Sequence, residues 1–137
     1  MGSNDTVDAG RSVKPTDESI KVLAAARLAL ERNKDFRYGN AKLEQEFYAL
    51  ELYTPQERFA AVDIALAQVG PTHRCGPNPP GEVAFTYGGH RLYAFKWYSP
   101  EFASVMYMKF CLSGSGKTEL LVLYSFHEDQ PKDVRRE

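Results

Sequence analysis

Apolar and polar residues alternate along the last third of the chain, and the alternation divides each strand it predicts into two faces. From Met106 to Leu112 the even positions Met106, Met108, Phe110 and Leu112 are apolar, while Tyr107, Lys109 and Cys111 are odd. From Leu120 to His127 the even positions Leu120, Val122, Tyr124 and Phe126 are apolar, while Ser125 and His127 are odd. Successive side chains of a strand point to opposite faces. Placing both even sets on one core therefore puts Tyr107, Lys109, Ser125 and His127 together on the opposite side. A preceding strand, His90–Tyr98, offers Tyr93, Phe95 and Trp97 as an aromatic row for the same core, with His90 and Lys96 in the other set. The open face expected from this register carries His90, Lys96, Tyr107, Lys109, Ser125 and His127.

Upstream the periodicity is helical. Residues 1–15 are polar and rich in Gly, Ser and Asp, the composition of a disordered leader. A helix is expected from Asp17 to about Asn33, opened by acidic residues and carrying Ile20, Leu23, Ala24, Leu28 and Leu30. A shorter one follows from Asn40 to about Leu52, with Leu43, Phe47 and Leu50 on one side. Thr54-Pro55-Gln56-Glu57 has the Thr-x-x-Glu spacing of a capping box with proline at the first helical position. Phe59, Val62, Ala65, Leu66 and Val69 continue that helix until Gly70-Pro71 stops it. Prolines 71, 77, 79 and 80 make Thr72–Gly81 a rigid loop. A short strand near Val83–Tyr87, a Gly88-Gly89 turn and a turn over Ser113–Thr118 complete the pattern, and the tail from residue 129 to 137 is charged.

Helices first and antiparallel strands second predict an α+β domain over residues 16–128, with N-terminal helices packed on one face of a C-terminal antiparallel sheet of about 3–4 strands. The 137 residues suffice for one core. No apolar run approaches the ~18 residues of a membrane span, so no membrane partner is expected. Cys75 and Cys111 are far apart and form neither a disulfide framework nor a paired-cysteine metal motif, which fits a cytoplasmic protein with reduced thiols. Net charge is −1, which argues against a strong nonspecific polyanion binder and against direct DNA binding. The charge is uneven: residues 1–19 carry a net −2, whereas Val83–His127 carries +2 before any histidine protonates. That mild basicity permits an RNA or phosphate ligand.

Three constellations invite a chemical reading. Ser113-Gly114-Ser115-Gly116-Lys117-Thr118 ends like a phosphate-binding loop, but the required first glycine is Cys111 and an apolar strand follows instead of a helix, so it reads as a hairpin turn. His73, Cys75, His90, Cys111 and His127 are zinc-ligand types, yet only His73 and Cys75 are close in sequence, and no metal or other cofactor is expected. The open-face set is different because its members converge. Cleaving RNA without a metal needs a base for the 2′-hydroxyl proton, an acid for the departing 5′-oxygen and cations for the charge developing on phosphate. Histidine titrates near neutrality and can be acid or base, lysine and arginine supply the cations, and a tyrosine hydroxyl positions the phosphate. Against this stands the plain alternative that Lys109 and His127 only solvate an exposed sheet face.

Tyr98-Ser99-Pro100, Met106-Tyr107-Met108-Lys109 and Leu121-Val122-Leu123-Tyr124-Ser125-Phe126-His127 together resemble the MqsR-type toxins of bacterial toxin–antitoxin systems, which belong to the RelE-like group of small RNA endonucleases. The family's pattern is a Tyr-x-Pro segment, a (Val/Leu)-Tyr-x-Lys strand and a closing Val-Ser-Phe-Lys strand. The resemblance implies a metal-independent endoribonuclease acting on single-stranded message RNA, with an antitoxin protein as partner. The family's active-site tyrosine falls on Tyr107, and its closing lysine falls on His127, which exchanges a fixed cation for an acid–base group. Its basic residue on the helix-to-sheet loop falls near His73 or Arg74, and its glutamine near Lys96. The expected site is therefore His127, Tyr107, Lys109 and Lys96 for catalysis, with His73, Arg74 and His90 contacting RNA. The near-neutral charge, the proline-rich loop and the acidic leader depart from the family's pattern, and the near-neutral charge favours a competing expectation: a non-catalytic module that presents its sheet face or edge to a protein partner.

Overall fold

A computed structural model describes the backbone of residues 3–76, 86–87 and 90–129 and the side chains of residues 17–75 and 91–129. The chain runs through helix α1 (Ser3–Asn33), strand β1 (Arg37–Tyr38), helices α2 (Lys42–Ala49) and α3 (Pro55–Gln68), a 3₁₀ turn at Pro71–His73, and strand β2 (Arg74–Gly76). Strands β3 (Thr86–Tyr87), β4 (His90–Arg91), β5 (Tyr93–Ser99), β6 (Ser104–Ser113) and β7 (Leu120–Glu128) follow. Helices thus precede most of the sheet, as the α+β pattern requires.

The sheet is larger than the expected 3–4 strands and is mixed. Its order is β1-β7-β6-β5-β2, with β1 parallel to β7 and every other pair antiparallel, while β3 and β4 form a separate two-stranded pairing. The two additional strands are edge pieces of two and three residues, too short to show any alternation in sequence. β2 lies within the stretch expected to be a rigid loop. The Gly88-Gly89 turn and most of the strand expected at Val83–Tyr87 lie outside the described residues.

Helix α1 begins at Ser3 and not near Asp17, so helical backbone extends through most of the segment expected to be a leader. Extending an existing helix adds one hydrogen bond per residue fixed, which is cheap compared with nucleating a new one. The packed part starts after Asp17: Val22, Leu23, Ala26 and Leu30 are buried. Arg27 reaches across to α3, donating to the Leu66 and Val69 carbonyls at 2.6 and 2.9 Å and so occupying acceptors left over at that helix's C-terminal end.

α3 starts as its sequence dictates. Thr54 Oγ1 accepts from the Glu57 amide at 3.1 Å, and the Glu57 carboxylate accepts from the Thr54 amide at 3.0 Å and the Tyr53 amide at 2.7 Å. Arg58, next along, is only 6% exposed. Its guanidinium donates to the Leu52 carbonyl, the Tyr38 hydroxyl and the Glu44 carboxylate at 2.8, 3.0 and 3.0 Å, and lies 5.2 Å from the centre of the Phe47 ring. One buried cation, hydrogen-bonded through Nε and Nη1, thus joins α2, α3 and the edge strand β1.

The core lies between the helices and one sheet face, where Phe95, Trp97, Met106, Met108, Phe110, Leu121, Leu123 and Phe126 are buried. The Phe95 and Phe110 rings stack across strands at 5.8 Å, and the Trp97 indole donates to Gln68 of α3 at 3.0 Å. On β7 the even-position expectation is overturned halfway. Lys109 pairs with Ser125 but Phe110 pairs with Leu123, leaving Tyr124 as an extra residue in the strand. This bulge switches parity: Leu121 and Leu123 face the core before it and Phe126 after it. Tyr124 turns instead to the opposite face, where with Val122 it joins Leu92 and Cys111 in a small second cluster. A Cβ on Gly39 would come within 2.6 Å of the Tyr124 ring, so glycine is what lets the chain pass there. Because the slip occurs before Ser125, both Ser125 and His127 keep the face expected of them.

The Ser113–Thr118 segment is a turn joining β6 to β7, with Gly114 and Gly116 at φ +87° and +55°. Within it the Thr118 hydroxyl donates to the Ser115 carbonyl, and Arg32 donates to that of Gly116.

Candidate functional site

The face of the sheet turned away from the helices is organised in rows set by strand register. Its central row is Lys96, Tyr107 and His127, which are directly opposed residues on β5, β6 and β7. Tyr107 lies on the middle strand of five, with the other two residues on its two neighbours. The Tyr107 and His127 rings stack with centroids 5.1 Å apart and planes inclined by 30°. The next row is Ala94, Lys109 and Ser125, with Lys109 half-buried. On the other side of the central row lies the pair Tyr98 and Val105. The strand faces expected from sequence therefore bring Lys96, Tyr107, Lys109 and His127 together.

The protonation of His127 follows from its contact. Nδ1 lies 2.8 Å from the Glu128 carbonyl oxygen, which can only accept. Nδ1 must then carry the proton, so a neutral imidazole presents the lone pair of Nε2. Tyr107 is fixed in the opposite sense. Burial, reinforced by Cys75, Asp129 and Glu46 nearby, pushes its phenol up to about 12. It keeps its proton at neutral pH and acts as a hydrogen-bond donor, not as a base.

Two residues that sequence reasoning missed complete the cluster. Asp129 extends the strand pairing beyond β7, its amide donating to the Val105 carbonyl at 2.8 Å, and its carboxylate meets Lys96 Nζ at 3.5 Å. The first residue of the expected charged tail is thus part of the site. Cys75 of β2 interacts electrostatically with Lys96, Asp129 and Tyr107. Burial pushes its thiol up, Lys96 lowers it and Asp129 raises it, with a net upward shift, so it remains a thiol and not a thiolate at neutral pH. A half-exposed cysteine in a proline-rich stretch carries no periodic signal that would have found it.

Two of the residues expected to contact RNA, Arg74 and His73, are bonded within the fold. The Arg74 guanidinium lies on the helix side, bonded to Glu18 of α1 at 3.0 Å and set 5.2 Å from the centre of the Tyr93 ring. Tyr93 donates its hydroxyl proton to the other Glu18 oxygen at 3.1 Å. His73 folds back on its own turn, its Nδ1 accepting from the Gly70 amide at 2.9 Å. His90 lies on β4, and its side chain is outside the described residues. Among the described residues no group of three His, Cys, Asp or Glu side chains is arranged to hold a metal ion, and no helix is long and apolar enough to cross a membrane.

The arrangement can accept a proton at His127 Nε2, donate a hydrogen bond from Tyr107 and neutralise negative charge at Lys96 and Lys109. No protein-family model matches the chain, and comparison with curated proteins and with solved structures likewise yields no match.

Proposed function

We propose that the open sheet face binds single-stranded RNA and cleaves it by transesterification, the activity of toxin-type endoribonucleases. The observation that carries this reading is the central row, in which a lysine, a protonated phenol and an imidazole with a free Nε2 occupy paired positions on three adjacent strands. In the proposed reaction His127 Nε2 takes the 2′-hydroxyl proton and the 2′-oxygen attacks the adjacent phosphorus. The bond from phosphorus to the 5′-oxygen breaks as that oxygen takes a proton from solvent water, leaving a 2′,3′-cyclic phosphate and a 5′-hydroxyl, and the His127 imidazolium returns its proton to solvent. Tyr107 donates a hydrogen bond to a phosphate oxygen, while Lys96 and Lys109 offset the charge that builds there. Message RNA in the cytoplasm is the proposed substrate, and an antitoxin protein covering this face would restrain the activity.

The test exploits the nucleophile. Purified protein is incubated with a single-stranded RNA and with the DNA of the same sequence, both in the presence of a chelator. The reading predicts that RNA is cut and DNA, lacking the 2′-hydroxyl, stays intact; cleavage of both, or of neither, contradicts it.

The Lys96–Asp129 ion pair favours a second reading, because it sets a carboxylate where a substrate phosphate would otherwise meet the ammonium. In that case the same face is a non-catalytic docking surface for a protein. Binding of a protein partner with no RNA cleavage in its absence would support it.

A further inference from the structure

The exposed pair beside the central row has no role in the chemistry above, and its exposure calls for an occupant. Tyr98 is 60% exposed and Val105, opposite it on β6, is 42% exposed. Both lie on the open face, two residues along their strands from Lys96 and Tyr107, a displacement of about 6.6 Å at ~3.3 Å per residue. An apolar platform thus adjoins a cation and a phenolic donor, with the imidazole one strand further on. A flat ring beside groups suited to phosphate is the combination that receives an unpaired nucleotide, whose base needs a stacking surface and whose phosphate needs positive charge and donors. The ammonium groups of Lys96 and Lys109 on the adjoining rows are complementary to that ligand's phosphate.

We propose that Tyr98, backed by Val105, is a base-stacking subsite that holds the nucleobase flanking the scissile phosphate of single-stranded RNA. The subsite rests on the ribonuclease reading and deepens it: the substrate would need an unpaired base beside the cleaved bond, so duplex RNA would be refused. Because stacking uses the ring and not the hydroxyl, the subsite would accept Phe or Trp at this position.

The experiment measures binding of a fluorescent 2′-O-methyl oligonucleotide, whose nucleophile is blocked, by anisotropy. Tyr98→Ala should weaken binding about 5- to 150-fold, the range that base–aromatic stacking spans, while Tyr98→Phe should bind within about 2-fold of the natural chain, a margin small beside that range. Abasic sites moved one by one along the oligonucleotide should reveal a position that weakens binding to the natural chain but not to Tyr98→Ala, since the two deletions remove one contact. Normal binding by Tyr98→Ala, or additive losses at every abasic position, overturns the subsite; RNA cleavage by the natural chain in that case leaves the ribonuclease reading standing. A natural chain that neither binds the oligonucleotide nor cleaves RNA overturns both.

Discussion

At the scale of single residues, His127 takes its chemistry from a neighbour in its own strand. The Glu128 carbonyl holds the Nδ1 proton, and the stack with Tyr107 holds the ring, so the unprotonated nitrogen is presented without any dedicated carboxylate. His127→Ala should abolish RNA cleavage while changing the free energy of unfolding by no more than about 1 kcal/mol, because partly exposed polar side chains contribute little to folding. Denaturant titration of the variant beside a cleavage assay checks both halves. Asp129→Asn removes the carboxylate that competes for Lys96 and should tighten binding of a non-cleavable oligonucleotide, with Lys96→Ala acting in the opposite direction; anisotropy at fixed salt reads the difference. Strand parity made Lys96, Tyr107, Lys109 and His127 legible in the sequence. Asp129 was not legible, because a single strand-pairing bond to Val105 and one ion pair recruit it from a charged tail. The Arg74 ion pair was not legible either, because nothing in its loop reveals that Glu18, fifty-six positions earlier, meets its guanidinium.

At the scale of elements, the site depends on β5, β6 and β7 holding their register. Trp97 marks the core face of β5 at 2% exposure, and its neighbour Lys96 marks the open face. Trp97→Ala should cost about 3–5 kcal/mol and Lys96→Ala much less, measured by chemical denaturation; equal effects would mean the strand faces are reversed. The sequence also announced the start of α3, since the capping box is a local device complete within four residues. Thr54→Ala should therefore cost about 1 kcal/mol, visible in the same titration. The bulge at Tyr124 was invisible by contrast: Leu120-Leu121-Val122-Leu123 offers apolar residues at both parities, so the pattern could not show which set enters the core. Pairing with β6 and the space left by Gly39 decide it. Beyond the end of β1, Asn40 donates to the Tyr124 carbonyl and the Glu46 carboxylate accepts from the Phe126 amide, closing the exposed edge of β7 beside the site.

At the scale of the molecule, the helices pack on one sheet face, the other carries the row Lys96–Tyr107–His127 beside the small buried cluster around Tyr124, and α1 is fastened to the far edge of the sheet through Glu18. Partial burial raises the pKa of that carboxyl, but bonds from Arg74 and Tyr93 and the charges of Arg74 and Arg91 outweigh burial and hold it below its ordinary value. A carboxyl depressed in the folded state adds stability that is present above its unfolded pKa and lost as pH falls through the folded one. Glu18→Gln should thus narrow the stability gap between neutral pH and the acid side of the usual carboxylate range, as thermal melts across that interval would show. On the opposite, open face, the ends of the RNA products are the most direct test of the proposed chemistry. If the row Lys96–Tyr107–His127 carries out transesterification, the natural chain leaves 2′,3′-cyclic phosphate and 5′-hydroxyl termini, and His127→Ala, folded as before, yields neither. Products bearing 5′-phosphates, or unchanged cleavage by His127→Ala, would contradict transesterification by this row.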